Sequence, residues 1–332
     1  MFNLLLSTAF LFASTSNIFH DIYPSGENIV FEMKQDGVII TGAYDLKTDK
    51  GIYNPLKHSD IEIGDLIVKV DNTSISSIEA FTRTITKNEE FYTVSLEIKR
   101  DKSVISRNLK VFNIDNQIKT GLFVKERTLG VGTLTFIDTD KNIYGALGHE
   151  VVDNYSNSII DVKDGSIYLE EVTNIKKGTN GNPGEKLTTT KLNNEVGDIK
   201  ENTNYGIFGN LTSRNVSTYA CEIGSAKEIK LGKASILTTI EGSKVEEFEI
   251  EITSLKKQEK QDLKGITFKI TDQRLLNKSG GVYSGMSGSP IIQNNKLVGA
   301  VTHVLVNDIT MGYGLYIEYM YEECLEKMDI ES

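Results

Sequence analysis

Cysteine and histidine are both scarce in this chain, with two and four copies respectively among 332 residues. Cys221 and Cys324 stand far apart, and no Cys-x-x-Cys or Cys/His ligand spacing occurs. A structural zinc framework is therefore not expected, and no metal site is assigned. Two separate buried thiols are the ordinary expectation, and a single disulfide stays open for an exported protein. Positive charge is short as well. Lys and Arg number 36 against 46 Asp and Glu, a formal net charge of −10. No basic block or aromatic-plus-basic stripe offsets it, which argues against a nucleic-acid partner, since phosphate binding needs clustered cations. Long apolar runs are missing too. Leu4 to Ala13 (LLLSTAFLFA) is followed by small residues at Ser14 and Ser16. It has the length of a signal-peptide core and is too short to span a bilayer unaided. Residues 1–19 are thus expected to be a signal or anchor segment of an exported chain. No Lys or Arg precedes Lys34, so a basic leader is lacking, and an apolar N-terminal strand or helix is the competing reading. Repeats and low-complexity tracts are absent.

What is present reads as two folded bodies. An apolar content of 39% is compatible with packed cores. Residues 24–112 read as a small mixed domain. Val38-Ile39-Ile40 and Leu66 to Val70 are expected strands, the second entered through a Gly64-Asp65 turn. Ser77 to Lys87 is an expected helix with Ile78, Phe81 and Ile85 on one face. Phe91 to Lys99 alternates as a strand, and Lys99 to Lys102 reads as a hairpin tip. From about residue 118 onward the pattern is short strands and turns. Phe248, Ile250 and Ile252 alternate with glutamates, and Leu297 to Val306 is a longer strand. Only the C-terminus looks helical, with Tyr316, Met320, Cys324 and Met328 making one apolar docking stripe. An all-β body with a terminal helix fits a sandwich or a double barrel.

A serine hydroxyl becomes a nucleophile only when a base takes its proton and donors stabilise the oxyanion. Gly285-Met286-Ser287-Gly288-Ser289-Pro290 offers such a setting. The flanking glycines allow a tight turn, and the amides of Gly285 and Ser287 are the expected oxyanion donors. Taken alone, the segment also fits an ordinary Gly/Ser-rich β-turn. A strand follows it at once, which disfavours the nucleophile elbow of α/β hydrolases, where a helix follows. Among the histidines, His149 in Gly145-Ala146-Leu147-Gly148-His149 shares the glycine-flanked setting and is the expected base. His303 lies inside an apolar strand, as a packed residue or the wall of a substrate pocket. His20 and His58 read as surface residues. A base histidine needs a partner to fix its tautomer. Asp272, Asp153, Asp161 and Asp198 all remain open for that role on spacing alone.

These segments resemble the stage IV sporulation protein B peptidase family. The resemblance rests on Gly-Met-Ser-Gly-Ser-Pro-Ile-Ile-Gln-Asn (285–294), Val-Gly-Ala-Val-Thr-His-Val (298–304) and Val-Asn-Asp (306–308). It continues at Tyr144-Gly-Ala-Leu-Gly-His149, Gly178-Thr-Asn-Gly-Asn-Pro-Gly-Glu-Lys186, Tyr-Gly-Ile-Phe-Gly (205–209) and Lys244-Val-Glu-Glu-Phe248. The resemblance implies a mainly β protein: a PDZ-like α+β domain over 24–112, then a chymotrypsin-like double β-barrel with a C-terminal helix over 118–332. It implies Ser287 as nucleophile, His149 as base and Asp272 as their aspartate, although Asp272 stands unusually close before the serine. Met286 occupies the place where many chymotrypsin-like zymogens carry an aspartate, so activation by an inserted N-terminus is not expected. The loop Gly26-Glu27-Asn28-Ile29 is the expected peptide-binding loop of the PDZ-like module.

The expected function follows from the resemblance. It is a serine endopeptidase without cofactor, making limited cleavages of itself and of a membrane-bound regulator of an intramembrane protease. Its partners would be membrane-associated protein substrates and a peptide ligand of the PDZ-like module. Its place would be outside the cytoplasm, in the space between the membranes of a developing spore. A catalytically silent PDZ-type scaffold is the alternative, and the pairing of Gly-Met-Ser-Gly with Gly-His argues against it.

Overall fold

The computed structural model describes residues 22–49, 51–101, 103–212, 219–256 and 262–330. The expected signal segment 1–19 and His20 lie outside the described residues. Two unusually long strands set the architecture. Asn28–Ala43 and Leu122–Asp138 run antiparallel along each other, from Asn28 opposite Thr133 to Ala43 opposite Leu122. Each strand serves a barrel at one end and the small module at the other.

The first barrel can be traced as a closed ring of pairings. Asn28–Ala43 pairs with Leu122–Asp138, which pairs with Ile143–Ala146, which pairs with Gly206–Asn210. A bridge from Leu211 to Gly197 reaches Glu195–Asp198, which pairs with Asp164–Leu169 and so returns to Asn28–Ala43. Ile29, Met33, Leu134, Tyr144, Ile167 and Ile207 fill the interior. The second ring is Gly232–Thr239, Val245–Leu255, Ile266–Ile270, Met311–Tyr316, Lys296–Val304 and Pro290–Gln293, which closes back on Gly232–Thr239. Phe248, Ile250 and Ile252 are buried in it while the glutamates between them face out, as their alternation predicts. Closing each sheet on itself removes the exposed edges. The chain is therefore a mainly β protein with a double barrel of the expected kind.

The C-terminal helix Ile317–Lys327 docks across both barrels, touching Ile143–Ala146 of the first and Lys296–Val304 of the second. Met320 and Cys324 of this helix are fully buried. Cys221 and Cys324 are both buried and not bridged to each other. Among the described residues no helix is long and apolar enough to cross a membrane.

The small module is built on the outer halves of the two long strands, with Leu66–Val70, Phe91–Arg100 and Ser103–Ile114 completing its sheet. Helix Ile78–Ile85 is capped by Ser77, whose hydroxyl accepts from the Ala80 amide at 3.0 Å. It buries Phe81 and Ile85, while Ile78 in its first turn stays exposed. The module leans on the first barrel. Gly64 has φ +96° and faces the Tyr155 carbonyl, which a Cβ would approach to 2.5 Å. Beside it, Lys125 pairs with the buried Asp153 at 2.6 Å.

Two expectations need correction here. The module does not begin near residue 24: residues 22–34 belong to the first barrel, and the module core starts at Val38. Gly26, Glu27, Asn28 and Ile29 therefore cannot be the module's peptide-binding loop. Gly26 packs against Leu237 of the second barrel, and Ile29 is paired on both sides, with Gly132 and with Leu169. A strand with both edges occupied has no free N–H and C=O groups to offer a peptide.

Candidate active site

The serine turn is entered from the short strand Tyr283–Ser284, which pairs in parallel with Gly184 and Glu185. The Met286 amide donates to the Tyr283 carbonyl at 3.1 Å, and the Ser289 amide to the Met286 carbonyl at 3.0 Å. Gly285 and Gly288 have φ of +96° and +93°, which side chains resist. Space forbids side chains too. A Cβ on Gly288 would stand 2.2 Å from the Thr133 oxygen and 2.6 Å from the Leu147 nitrogen. Met286 fills an apolar slot and is fully buried. Among the described residues the Ser287 amide donates to no backbone acceptor. Ser287 is half-buried, and its Oγ donates to the Thr302 carbonyl at 3.0 Å.

His149 leaves strand Ile143–Ala146 through a strained turn. Leu147 has φ +72°, and the Gly148 amide bonds back to the Ala146 carbonyl at 3.0 Å. This is a γ-turn of the costly hand, which persists only where its surroundings enforce it. Enforcement comes from the buried Leu147 side chain and from its amide, which donates to the Thr133 carbonyl at 3.2 Å. His149 Nδ1 lies 2.7 Å from the Glu150 carbonyl. A carbonyl only accepts, so Nδ1 carries the hydrogen and Nε2 keeps the basic lone pair. The Asn202 side chain holds the next residues, accepting from the Val151 amide at 2.8 Å and donating to the Val151 and Ile160 carbonyls.

Thr133 joins the two loops. Its amide donates to the Ser287 carbonyl at 3.0 Å, its hydroxyl to the Gly285 carbonyl at 3.0 Å, and its own carbonyl accepts from Leu147. Strand Lys296–Val304 backs both loops. It receives the Gly288 amide at Val301 and the Ser287 hydroxyl at Thr302, and its His303 ring lies 5.5 Å from that of His149. Ser287, His149 and His303 thus share one end of one strand, although no hydrogen bond joins Ser287 to His149. Burial, followed by the charges of His149 and Lys264, holds the His303 pKa below its ordinary value.

Asp272 is placed differently from the expectation. It caps helix Gln273–Ser279, and its carboxylate accepts from the Arg274 amide at 2.8 Å and its guanidinium at 2.7 Å. Arg274 holds the Asp272 carboxyl below its usual range. Asp272 and His149 share no hydrogen bond, and the Glu150 carbonyl is what orients the imidazole. Asp153 pairs with Lys125, Asp198 accepts from the Asn210 amide and pairs with Lys200, and Asp161 is exposed. None of the three makes a hydrogen bond or ion pair with His149. His58 packs on Tyr53 in the module.

Thr133, Thr302, Asn202 and Lys186 do not stand out in the sequence as site residues. Lys186 does carry a signal in the structure's light. Around it the alternation is inverted, with Lys186 buried and Leu187 exposed, the opposite of what the two side chains prefer.

The family described as SpoIVB peptidase S55 matches residues 116–321. No curated protein sequence matches the chain. Among solved structures, the active form of the Rv3671c protease from M. tuberculosis is similar at 13% identity, covering 62% of this chain and 76% of that one, with a TM-score of 0.35. The HtrA-type protease AlgW, solved with a decapeptide, is similar at 9% identity over 61% of this chain and 54% of that one, with a TM-score of 0.36. The double barrel rests on the closed strand pairing above and not on these distant likenesses.

Proposed function

The chain belongs to the SpoIVB peptidase S55 family and is a serine endopeptidase; from that premise we propose that Ser287 is its nucleophile and His149 its base. The observation that carries this reading is the Thr133 clamp, which brings the glycine-flanked serine and the histidine loop to one place. For reaction, the Ser287 hydroxyl turns from the Thr302 carbonyl toward His149 Nε2, gives up its proton, and Oγ bonds to the substrate carbonyl carbon. The amides of Gly285 and Ser287 receive the developing oxyanion, a contribution typically worth about 10²–10³ in rate per donor. The Glu150 carbonyl steadies the imidazolium through Nδ1–H. The proton then passes to the leaving amine, and water repeats the sequence on the acyl-enzyme.

The finer reading is limited, regulatory cleavage of the chain itself and of a membrane-bound regulator of an intramembrane protease, outside the cytoplasm of a sporulating cell. Family membership supports it. For a peptide ligand of the module, the edge to consider is Leu122 to Arg127, which among the described residues pairs only with Asn28–Ala43. Helix Ile78–Ile85 stands beside it, its Ile78 amide bonded to Glu126 at 2.6 Å. An extended peptide could add there as one more strand. A silent scaffold is the second reading, favoured by one observation: the Ser287 hydroxyl is given to Thr302 and not to His149. Incubating the purified full chain and sequencing its N-terminus over time tests the proposal. Shortening that stops in Ser287→Ala is expected, and shortening that persists in that variant would assign the cleavage to another protease.

A further inference from the structure

Lys186 lies in the strand Gly184–Thr188, beside the strand that enters the serine turn. It is 3% exposed, and among the described residues it forms no ion pair. Its side chain runs under Gly285: a Cβ on that glycine would meet Lys186 Cβ at 2.9 Å and Cδ at 3.5 Å. Its Nζ reaches the Thr133 hydroxyl at 3.4 Å and stands 5.8 Å from the centre of the Tyr283 ring. An amine taken from water without a carboxylate partner is costly, and a methionine would fill similar space at less cost. The contact it makes instead leads straight to the turn, because Thr133 holds the carbonyls of both Gly285 and Ser287.

We propose that Lys186 is a positioning residue of the serine turn, acting through Thr133 to keep the Gly285 and Ser287 carbonyls tied back and the turn's amides aimed at the oxyanion. The inference rests on the peptidase reading of that turn. Lys186 donates to the Thr133 oxygen, so the Thr133 hydrogen stays committed to the Gly285 carbonyl, and the three groups form one directed chain. Burial pushes the amine down to about 7. Both protonation states carry N–H groups, so either can hold Thr133.

The test uses the full chain and the second-order rate of labelling by a fluorophosphonate probe, for wild type, Ser287→Ala, Lys186→Met, Thr133→Val and the double variant. Thermal unfolding is followed in parallel. Each single substitution is expected to slow labelling by about 10–100-fold, somewhat less than loss of an oxyanion donor itself. Lys186→Met should melt no lower than wild type. The double variant should be no slower than the slower single, because both changes cut the same chain. Wild-type labelling rates in Lys186→Met, or effects that multiply in the double, would overturn the inference while leaving the peptidase reading intact. Thr133→Val keeps the shape of the site and tests the Thr133 end of the chain, and Lys186→Leu, which also removes the amine and should slow labelling alike, supplies the answer if Lys186→Met folds poorly. A folded wild type that shows no Ser287-dependent labelling would instead sink the peptidase reading, and this inference with it.

Discussion

Replacing Gly288 by alanine should separate the two halves of the active site. At φ +93° an alanine carries backbone strain of roughly 1–2 kcal/mol. The larger effect is steric. The new Cβ would stand 2.2 Å from the Thr133 oxygen and 2.6 Å from the Leu147 nitrogen. Both are backbone atoms that cannot swing aside, and the serine turn must withdraw from the histidine loop by about 1 Å to restore ordinary contact. A misplacement of that size costs on the order of 10² in rate. We expect Gly288→Ala to lose about 2–4 kcal/mol of stability, a typical value when strain and overpacking coincide, and to label with fluorophosphonate at least ~10²-fold more slowly. Gly181→Ala is the control. That glycine has φ +84° with nothing within 4 Å of its Cβ position, so it isolates the strain of about 1–2 kcal/mol and should leave labelling unchanged. Denaturant unfolding and labelling rates for both variants decide it. If Gly288→Ala labels like wild type, or loses no more stability than Gly181→Ala, the close approach of the two loops is wrong.

Asp272→Asn should slow kcat/KM by less than about 10-fold, since asparagine also caps helices well. A fall on the order of 10⁴, as expected for loss of a histidine's carboxylate partner, would mean that Asp272 leaves Arg274 during catalysis. Burial raises the Asp153 pKa, but Lys125 and the amides of Tyr155 and Ser156 outweigh it and leave the carboxyl depressed. Its contribution is therefore present above the unfolded carboxylate range and lost as pH falls through the lower folded value. Melting curves between about pH 5 and pH 2, bracketing the ordinary aspartate range, should show a smaller acid loss in Asp153→Asn than in wild type, and equal losses would contradict the assignment.

Much of this arrangement is legible in the sequence. The strand Leu66–Val70 reads residue for residue because turn chemistry at Gly64-Asp65 and β-branched residues agree. The glycines around Ser287 and His149 point to tight turns, and the structure places positive φ at Gly285, Gly288 and Leu147. Other features have no local signature. Ile29 to Met33 and Val38 to Ile40 both fall inside the expected 24–112 domain, yet the strand Asn28–Ala43 that carries them is shared by barrel and module. That continuity is fixed by the partner strand Leu122–Asp138, remote in sequence, so the expected boundary is misplaced and Gly26 to Ile29 fall to the wrong body. Thr133 carries no local mark because its importance lies in contacts made across the fold, and Lys186, although it ends a segment that resembles the family, shows its burial only once the fold is known. Asp272 rests on resemblance alone, and its place at a helix cap depends on Arg274 two residues on.

Activation of Ser287 by His149 is the step on which the proposed peptidase chemistry turns. Fluorophosphonate labelling of the purified protein beside Ser287→Ala and His149→Ala tests it most directly, because the probe reacts rapidly only with a serine that has both a base and an oxyanion site. Wild type should label, and both substitutions should abolish the labelling. Labelling that survives in His149→Ala, or a well-folded wild type that does not label, would contradict it.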